Sequence, residues 1–384
     1  MFGFRKYNNK RIYLDYASTT PISDDVFNTM LPFLKESFAN PSSLYLEGLE
    51  NKKHIDEARK TIARILNSRE EDIYFTGSGT ESDNLALLGV FKKAKESISN
   101  PHIIVSKIEH PAILEVAKEI ENLGGEVTYL NINEEGLVDI NQLENSLKEN
   151  TVLVSIMYAN NEIGTVQPIG KIGRIVKKFK GMKEYPYFHT DASQAPNYLD
   201  CVVDRLGVDL MTLDGSKIYG PKGVGCLYKK HNVDISSIII GGGQEKGLRA
   251  GTENVAGIVG FAKALEIAGK LREKESARLK ELQKYFFDNT DYEVNGSMEH
   301  RLPNNINICV KGLDAEFEVI KLDEKGVACS FMTACKNLED DSDSYVITAL
   351  GKKECAGSSL RFSMGRGTTK DEIKEVINIL SKSV

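Results

Sequence analysis

Asp72-Ile73-Tyr74-Phe75-Thr76-Gly77-Ser78-Gly79-Thr80-Glu81 is the stretch on which the fold turns. Asp72–Thr76 reads as a strand, Gly77–Thr80 as a glycine-rich turn, and a helix is predicted from Glu81. A strand that ends in such a turn and opens a helix begins a β–turn–α unit. The turn presents unpaired backbone N–H groups at the positive end of a helix, which suits a phosphate. The same six residues, Thr76 to Glu81, also suit a plain turn.

The alternation continues outward from there. His102–Ser106, Glu126–Ile132, Thr151–Ala159, Tyr185–Thr190, Asp209–Leu213 and Val224–Tyr228 read as strands. Between them, helices are predicted from Pro111 to about Leu123, at Ile140–Lys148 and at Ile169–Phe179. Alternating strands and helices imply an α/β fold with a mainly parallel sheet covered on both faces. From Asn254 to about Phe287 the pattern becomes one or two long helices, leading into a second region. That region has strands near Asn305–Val310 and Ser359–Ser363, and a last helix whose Thr369 and Glu372 fit a capping box.

The 384 residues suit one large and one small domain. The formal charge of −6 gives no electrostatic reason to expect a nucleic-acid partner. No apolar run is long enough to cross a bilayer, and Met1–Arg11 lacks the apolar centre and cleavage pattern of a secretory signal. A cytoplasmic protein is therefore expected. The six cysteines, Cys201, Cys226, Cys309, Cys329, Cys335 and Cys355, show no paired metal-ligand spacing. Reduced thiols and no metal are expected.

Two further segments carry chemistry. Asp191, in Phe188-His189-Thr190-Asp191-Ala192-Ser193-Gln194, falls at the C-terminal end of a predicted strand, where open α/β sheets bind ligands. A buried carboxylate there needs a cationic partner, such as a protonated pyridine nitrogen; a helix N-cap is the other reading. Lys217 follows the Asp209–Leu213 strand in Asp214-Gly215-Ser216-Lys217-Ile218-Tyr219-Gly220-Pro221-Lys222-Gly223. A lysine desolvated at the edge of a core is a better nucleophile for Schiff-base formation. A solvated loop lysine is the alternative.

Taken together in order, the motifs resemble those of the cysteine desulfurases of the class V aminotransferase group. They run from Tyr13-Leu14-Asp15-Tyr16 through Asn40-Pro41-Ser42-Ser43, Gly79-Thr80-Glu81-Ser82, Glu109-His110 and Asn160-Asn161-Glu162-Ile163-Gly164. Asp191 with Gln194, the Lys217 segment, Gly241-Gly242-Gly243-Gln244-Glu245, Arg249-Ala250-Gly251-Thr252 and Arg361-Phe362-Ser363-Met364-Gly365-Arg366 follow. The resemblance implies a fold-type I, pyridoxal-phosphate-dependent transferase. It implies a large domain over 16–260, with a seven-stranded-type sheet, and a smaller α+β domain from 1–15 and 261–384.

It also implies roles for individual residues. Lys217 holds pyridoxal 5'-phosphate as a Schiff base and later takes the substrate's Cα proton. Asp191 pairs with the pyridine nitrogen, Gln194 contacts the ring hydroxyl, and His110 stacks on the ring. Gly79, Thr80 and Ser216 face the phosphate, and Thr252 reaches it from the other subunit of a homodimer. Asn161 and Arg361 hold the carboxylate of L-cysteine, Arg361 through its planar fork. Cys335 attacks the substrate sulfur and carries it as a persulfide to an acceptor protein, a scaffold for iron–sulfur clusters or a tRNA-modifying enzyme. Cys329, in the apolar run Gly326-Val327-Ala328-Cys329, reads as a core or strand residue.

The chain departs from the family at two places. Asp214-Gly215-Ser216 stands where the family has Ser, Gly and His before the Schiff-base lysine. A carboxylate about 4 Å from a phosphate, at an effective dielectric of about 20, costs roughly 4 kcal/mol per unit charge pair. Either Asp214 turns away, or a cation compensates, or cofactor affinity is lowered; turning away is expected, because the Lys217 segment is otherwise intact. The loop Ser330-Phe331-Met332-Thr333-Ala334-Cys335 lacks the family's glycine and is expected to be stiffer. Two other readings stand beside the desulfurase: another lyase or transaminase on the same fold, such as a selenocysteine lyase, and a non-catalytic assembly subunit.

Overall fold

The computed structural model describes residues 11–332 and 343–383. In chain order the elements begin with β1 (Ile12–Tyr13), α1 (Asp24–Lys35), α2 (Leu46–Leu66), β2 (Ile73–Thr76), α3 (Gly79–Lys95) and β3 (His102–Ser106). Then come α4 (Pro111–Asn122), β4 (Glu126–Leu130), α5 (Ile140–Ser146), β5 (Thr151–Ser155), α6 (Ile169–Lys180) and β6 (Tyr187–Asp191). They continue with α7 (Val203–Leu206), β7 (Leu210–Asp214), β8 (Gly225–Lys229), α8 (Val255–Asp288), β9 (Glu293–Val294) and β10 (Asn305–Cys309). The last are α9 (Ala315–Glu324), β11 (Val327–Ala328), α10 (Tyr345–Ala349), β12 (Ser359–Ser363) and α11 (Lys370–Ser383).

Seven strands form one sheet in the order β2-β8-β7-β6-β5-β3-β4. From β7 to β4 all neighbours are parallel. β3, β5 and β6 are buried along their whole length, as strands covered on both faces must be. β8 runs antiparallel to both β7 and β2, so β2 points the same way as the parallel strands. The C-terminal ends of β2, β3, β5, β6 and β7 thus share one edge of the sheet. The Gly79, His110, Asn161, Asp191 and Lys217 segments leave from that edge, and Arg361 reaches the site from β12 of the smaller sheet.

Strand ends shift from the sequence-based expectation by a residue or two. Thr151–Ala159 shortens most, to Thr151–Ser155, because the chain turns out of the sheet and Ala159 forms only an isolated bridge with Val166. Asn254–Phe287 proves to be one helix, α8, capped by the Asn254 side chain on the Gly257 N–H. Its first half, with Phe261 and Leu265, packs in the core beneath the large sheet. Its second half, with Leu279, Leu282 and Phe286, packs in a separate core with Leu14, Ile306, Ile308 and Phe362. That second core lies on the three-stranded sheet β12-β10-β9 and the pair β1-β11. The capping box at α11 forms as expected: Thr369 Oγ1 accepts from the Glu372 N–H and Glu372 Oε2 from the Thr369 N–H.

The expectation of reduced thiols fails at one pair. Cys309 and Cys355 form a disulfide with their Cα atoms 5.3 Å apart. Cys309 ends β10, and the short turn Lys353–Cys355 before β12 folds back over it. The two are 46 residues apart in sequence, so no spacing signal announces the pair. Cys329 is as expected: it packs against the small core, and burial pushes its thiol up to about 12.

Candidate active site

The shared strand edge opens into a cavity of about 160 Å³. Nine of the residues expected at the site line it: Gly79, Thr80, His110, Asn161, Asp191, Gln194, Ser216, Lys217 and Arg361. Thr252 does not. It is exposed on the loop between Gly251 and α8. Cys335 and the residues around it, Thr333 to Lys336, lie outside the described residues, as does the acidic run Glu339–Asp341. Phe331 and Met332, at the root of that loop, are buried in the small core.

Lys217 closes a short helical turn after β7. Its Nζ donates to the backbone carbonyls of Ala17 and Ser18. The turn is clamped from outside. Thr20 N–H and Oγ1 both donate to the Ser216 carbonyl, and Asn197 Nδ2 donates to that of Lys217. Tyr219, two residues on, takes the left-handed region at φ +61°. Its N–H donates to Thr20 Oγ1, and its hydroxyl accepts from the Arg366 N–H, which holds that conformation in place.

Asp191 ends β6 and is 8% exposed. Its Oδ1 accepts the Ser193 N–H at 2.8 Å. Asp83 of α3 is buried as well; its Oδ1 accepts no hydrogen bond among the described residues and lies 3.8 Å from His189 Nε2. Burial, and then the charge of Asp191, push the Asp83 carboxyl well above its ordinary range. Both Asp83 and Asp191 line the cavity. His110 caps α4: its Nδ1 accepts the Ala112 N–H at 3.1 Å. Burial lowers its pKa. The ring is therefore neutral near pH 7 with its proton on Nε2. The preceding Glu109 is buried, and burial raises its carboxyl to about 8 against hydrogen bonds from Ser106 and the Met157 N–H.

Arg361, from β12, is 1% exposed. Nη2 pairs with Asp15 at 2.7 Å and donates to Ser18 Oγ at 2.8 Å, and Nη1 donates to the Asn161 carbonyl at 3.1 Å. Nε is buried with no partner among the described residues. A buried donor left over at a cavity wall fits an incoming carboxylate. Gln194 donates Nε2 to the Ala17 carbonyl, the acceptor it shares with Lys217. Asp15, Ser18 and the Ala17 carbonyl are site residues that the sequence reading did not assign. The Tyr13-Leu14-Asp15-Tyr16 landmark was the available signal.

Asp214 overturns its expectation. It turns inward, not away. Oδ2 accepts the Gly79 N–H at 3.0 Å, and Oδ1 accepts both the N–H and the hydroxyl of Ser216, at 2.7 and 2.6 Å. The physical reason is that the unpaired N–H at the start of α3 is itself a strong anion site, and the strand end of β7 delivers a carboxylate to it.

The Aminotransferase class-V family model matches residues 12–376. "Cysteine desulfurase IscS" of Dictyoglomus turgidum is 43% identical over 381 residues, 98% of this chain and 95% of that protein. The chain belongs to the cysteine desulfurase family. "Putative cysteine desulfurase IscS 1" of Bacillus subtilis is 40% identical over 95% of this chain and 96% of its own. Among solved structures, a "NIFS-LIKE PROTEIN" superposes with a TM-score of 0.90 at 33% identity, covering 97% of this chain and all of that one. One titled "SspA in complex with cysteine" gives 0.81 at 35%, covering 92% and 99%. This family has the mainly parallel sheet flanked by helices seen here, and the fold is that of the fold-type I enzymes.

Proposed function

We propose that this cysteine desulfurase binds pyridoxal 5'-phosphate on Lys217 and converts L-cysteine to L-alanine, passing the sulfur to Cys335. The observation that carries the proposal is that Lys217 and Asp191 line one cavity together with His110 and Arg361. The ring end fits the cofactor. Asp191 supplies an anion for a pyridinium nitrogen, and neutral His110 supplies a flat face without a competing charge. When bound, the cofactor supplies an electron sink for the pair left when the Cα proton is removed.

The chain's own residues do the rest. Arg361 Nε and its fork, backed by Asn161, orient the substrate carboxylate. The Asp15 pair holds the guanidinium in place, so the substrate does not have to order it. Lys217, once the substrate amine has displaced it from the cofactor, would be the base that removes the Cα proton. Cys335 is the nucleophile toward the substrate sulfur: the S–S bond forms as the Cβ–S bond breaks, the electron pair left on carbon takes a proton to give alanine, and the sulfur then goes to an acceptor protein serving iron–sulfur assembly or tRNA thiolation.

A homodimer belongs to this reading. Leu34, Phe38, Leu44, Leu46 and Ile240 are exposed apolar residues, up to 92% for Ile240. Such side chains in number mark a surface that another chain covers. Thr252 is exposed as well, free to reach a neighbouring subunit's cavity. Among the described residues no helix is long and apolar enough to cross a membrane, and a cytoplasmic location completes the proposal.

Alanine and protein-bound persulfide are measured together after mixing the cofactor-loaded protein with L-cysteine. The proposal predicts both products in the natural chain and neither turnover nor persulfide in Cys335→Ala, with cofactor retained. Undiminished sulfur release from Cys335→Ala would point instead to a lyase that does not use that thiol. No alanine from any form would point to a non-catalytic subunit.

A further inference from the structure

One end of the cavity carries a charge of the wrong sign for its expected ligand. The cup that the Gly79–Thr80 turn and Ser216 make is the place where a cofactor phosphate belongs. Three of its donors are the Gly79 N–H, the Ser216 N–H and the Ser216 hydroxyl. All three are given to the Asp214 carboxylate. These are the kind of donors an anionic phosphate oxygen seeks at a helix N-terminus.

The pose is built into the fold. Gly79 lacks the Cβ that would sit 3.0 Å from Asp214 Oδ2 and 3.1 Å from Ser193 Oγ. Asp214 is fixed at the end of β7 by pairing with Gly225 of β8. Gly225 in turn lies so close to the turn that a Cβ on it would come within 2.5 Å of the Ser78 carbonyl carbon and oxygen. Neighbouring cations are engaged elsewhere. Arg249 pairs with Glu81 through Nε and Nη2, and Lys217 Nζ donates to the Ala17 and Ser18 carbonyls.

We infer that Asp214 is a specificity-determining residue that stands in for phosphate in its own cup. A cofactor phosphate has to take these donors from a carboxylate of like charge. The phosphate group therefore adds far less to cofactor affinity in this chain than the donor set alone would give. The cup discriminates weakly between pyridoxal phosphate and unphosphorylated pyridoxal. The inference rests on the cofactor reading above.

The test is a titration of the full chain, stripped of cofactor, with pyridoxal phosphate and separately with pyridoxal, followed by Lys217-dependent absorbance. The quantity read is the ratio of the two dissociation constants. It is compared among the natural chain, Asp214→Asn and Asp214→Ser. The ratio is expected to rise in favour of pyridoxal phosphate by at least about tenfold in each variant, about 1.4 kcal/mol. Pyridoxal's own affinity should hold, which also shows that the variant is folded. An unchanged or falling ratio in either variant that still binds pyridoxal would overturn the inference. No Lys217-dependent absorbance with either ligand, in any of the three proteins, would instead bring down the cofactor reading itself.

Discussion

The two ends of one cavity were built by different rules. At the end proposed for the ring, Asp191 lines the cavity, His110 Nδ1 accepts the Ala112 N–H, and Arg361 is braced by Asp15 with a donor to spare. At the phosphate end the backbone donors are present, but a carboxylate already holds them. The contrast teaches that a donor set does not define a phosphate site by itself. The sign of the side chain delivered to it decides how much the phosphate can gain.

The comparison breaks most severely at Lys217. Lys217→Ala should lower alanine formation from L-cysteine by more than about 10³-fold, since it removes both the attachment point and the base. Arg361→Ala comes next. It leaves Asp15 without its cation and the substrate carboxylate without its fork, and kcat/KM for cysteine should fall by about 10²-fold. Arg361→Lys should recover only part, because an ammonium cannot make the bidentate contact. At the other end the effect has the opposite sign, with Asp214→Asn strengthening cofactor binding about tenfold, as set out above.

The smallest effect concerns Glu109, beneath the ring end. Its carboxyl keeps a proton up to about pH 8 in the folded protein, against 4.5 for the ordinary group. The folded state then binds more protons than the unfolded chain between those values. Its contribution to stability is full below 4.5 and is lost as pH rises through 8. Glu109→Gln should therefore flatten the decline in melting temperature between pH 5 and 8. Parallel declines in the two proteins would show that Glu109 is not the group responsible.

Much of this was legible in the sequence, for physical reasons. β3 and β5 have apolar centres, Ile103–Val105 and Val152–Val154, because both faces of a parallel strand are covered, and the Gly77–Thr80 turn could be placed because a strand preceded it. Asp191 and Lys217 could be named because each follows a predicted strand, and the other cavity residues because their motifs resemble those of the family; Arg361 comes from β12 of the other sheet. What escaped depends on partners far away along the chain. Arg361 and Asp15 are 346 residues apart, and Cys309 and Cys355 are 46 apart. The direction of Asp214 escaped because it depends on where Gly79, 135 residues earlier, places one N–H. Charge repulsion toward an expected ligand argued for turning away, and the local hydrogen bonds argued more strongly for turning in.

The central claim is that Lys217 carries the cofactor in a cavity that admits L-cysteine. Reduction of the cofactor-loaded protein with borohydride, followed by peptide mass spectrometry, tests it directly. The account predicts a pyridoxyl-phosphate adduct on the peptide containing Lys217, and its loss when L-cysteine is added before the reductant. An adduct on a different lysine, or one that L-cysteine does not remove, would contradict it.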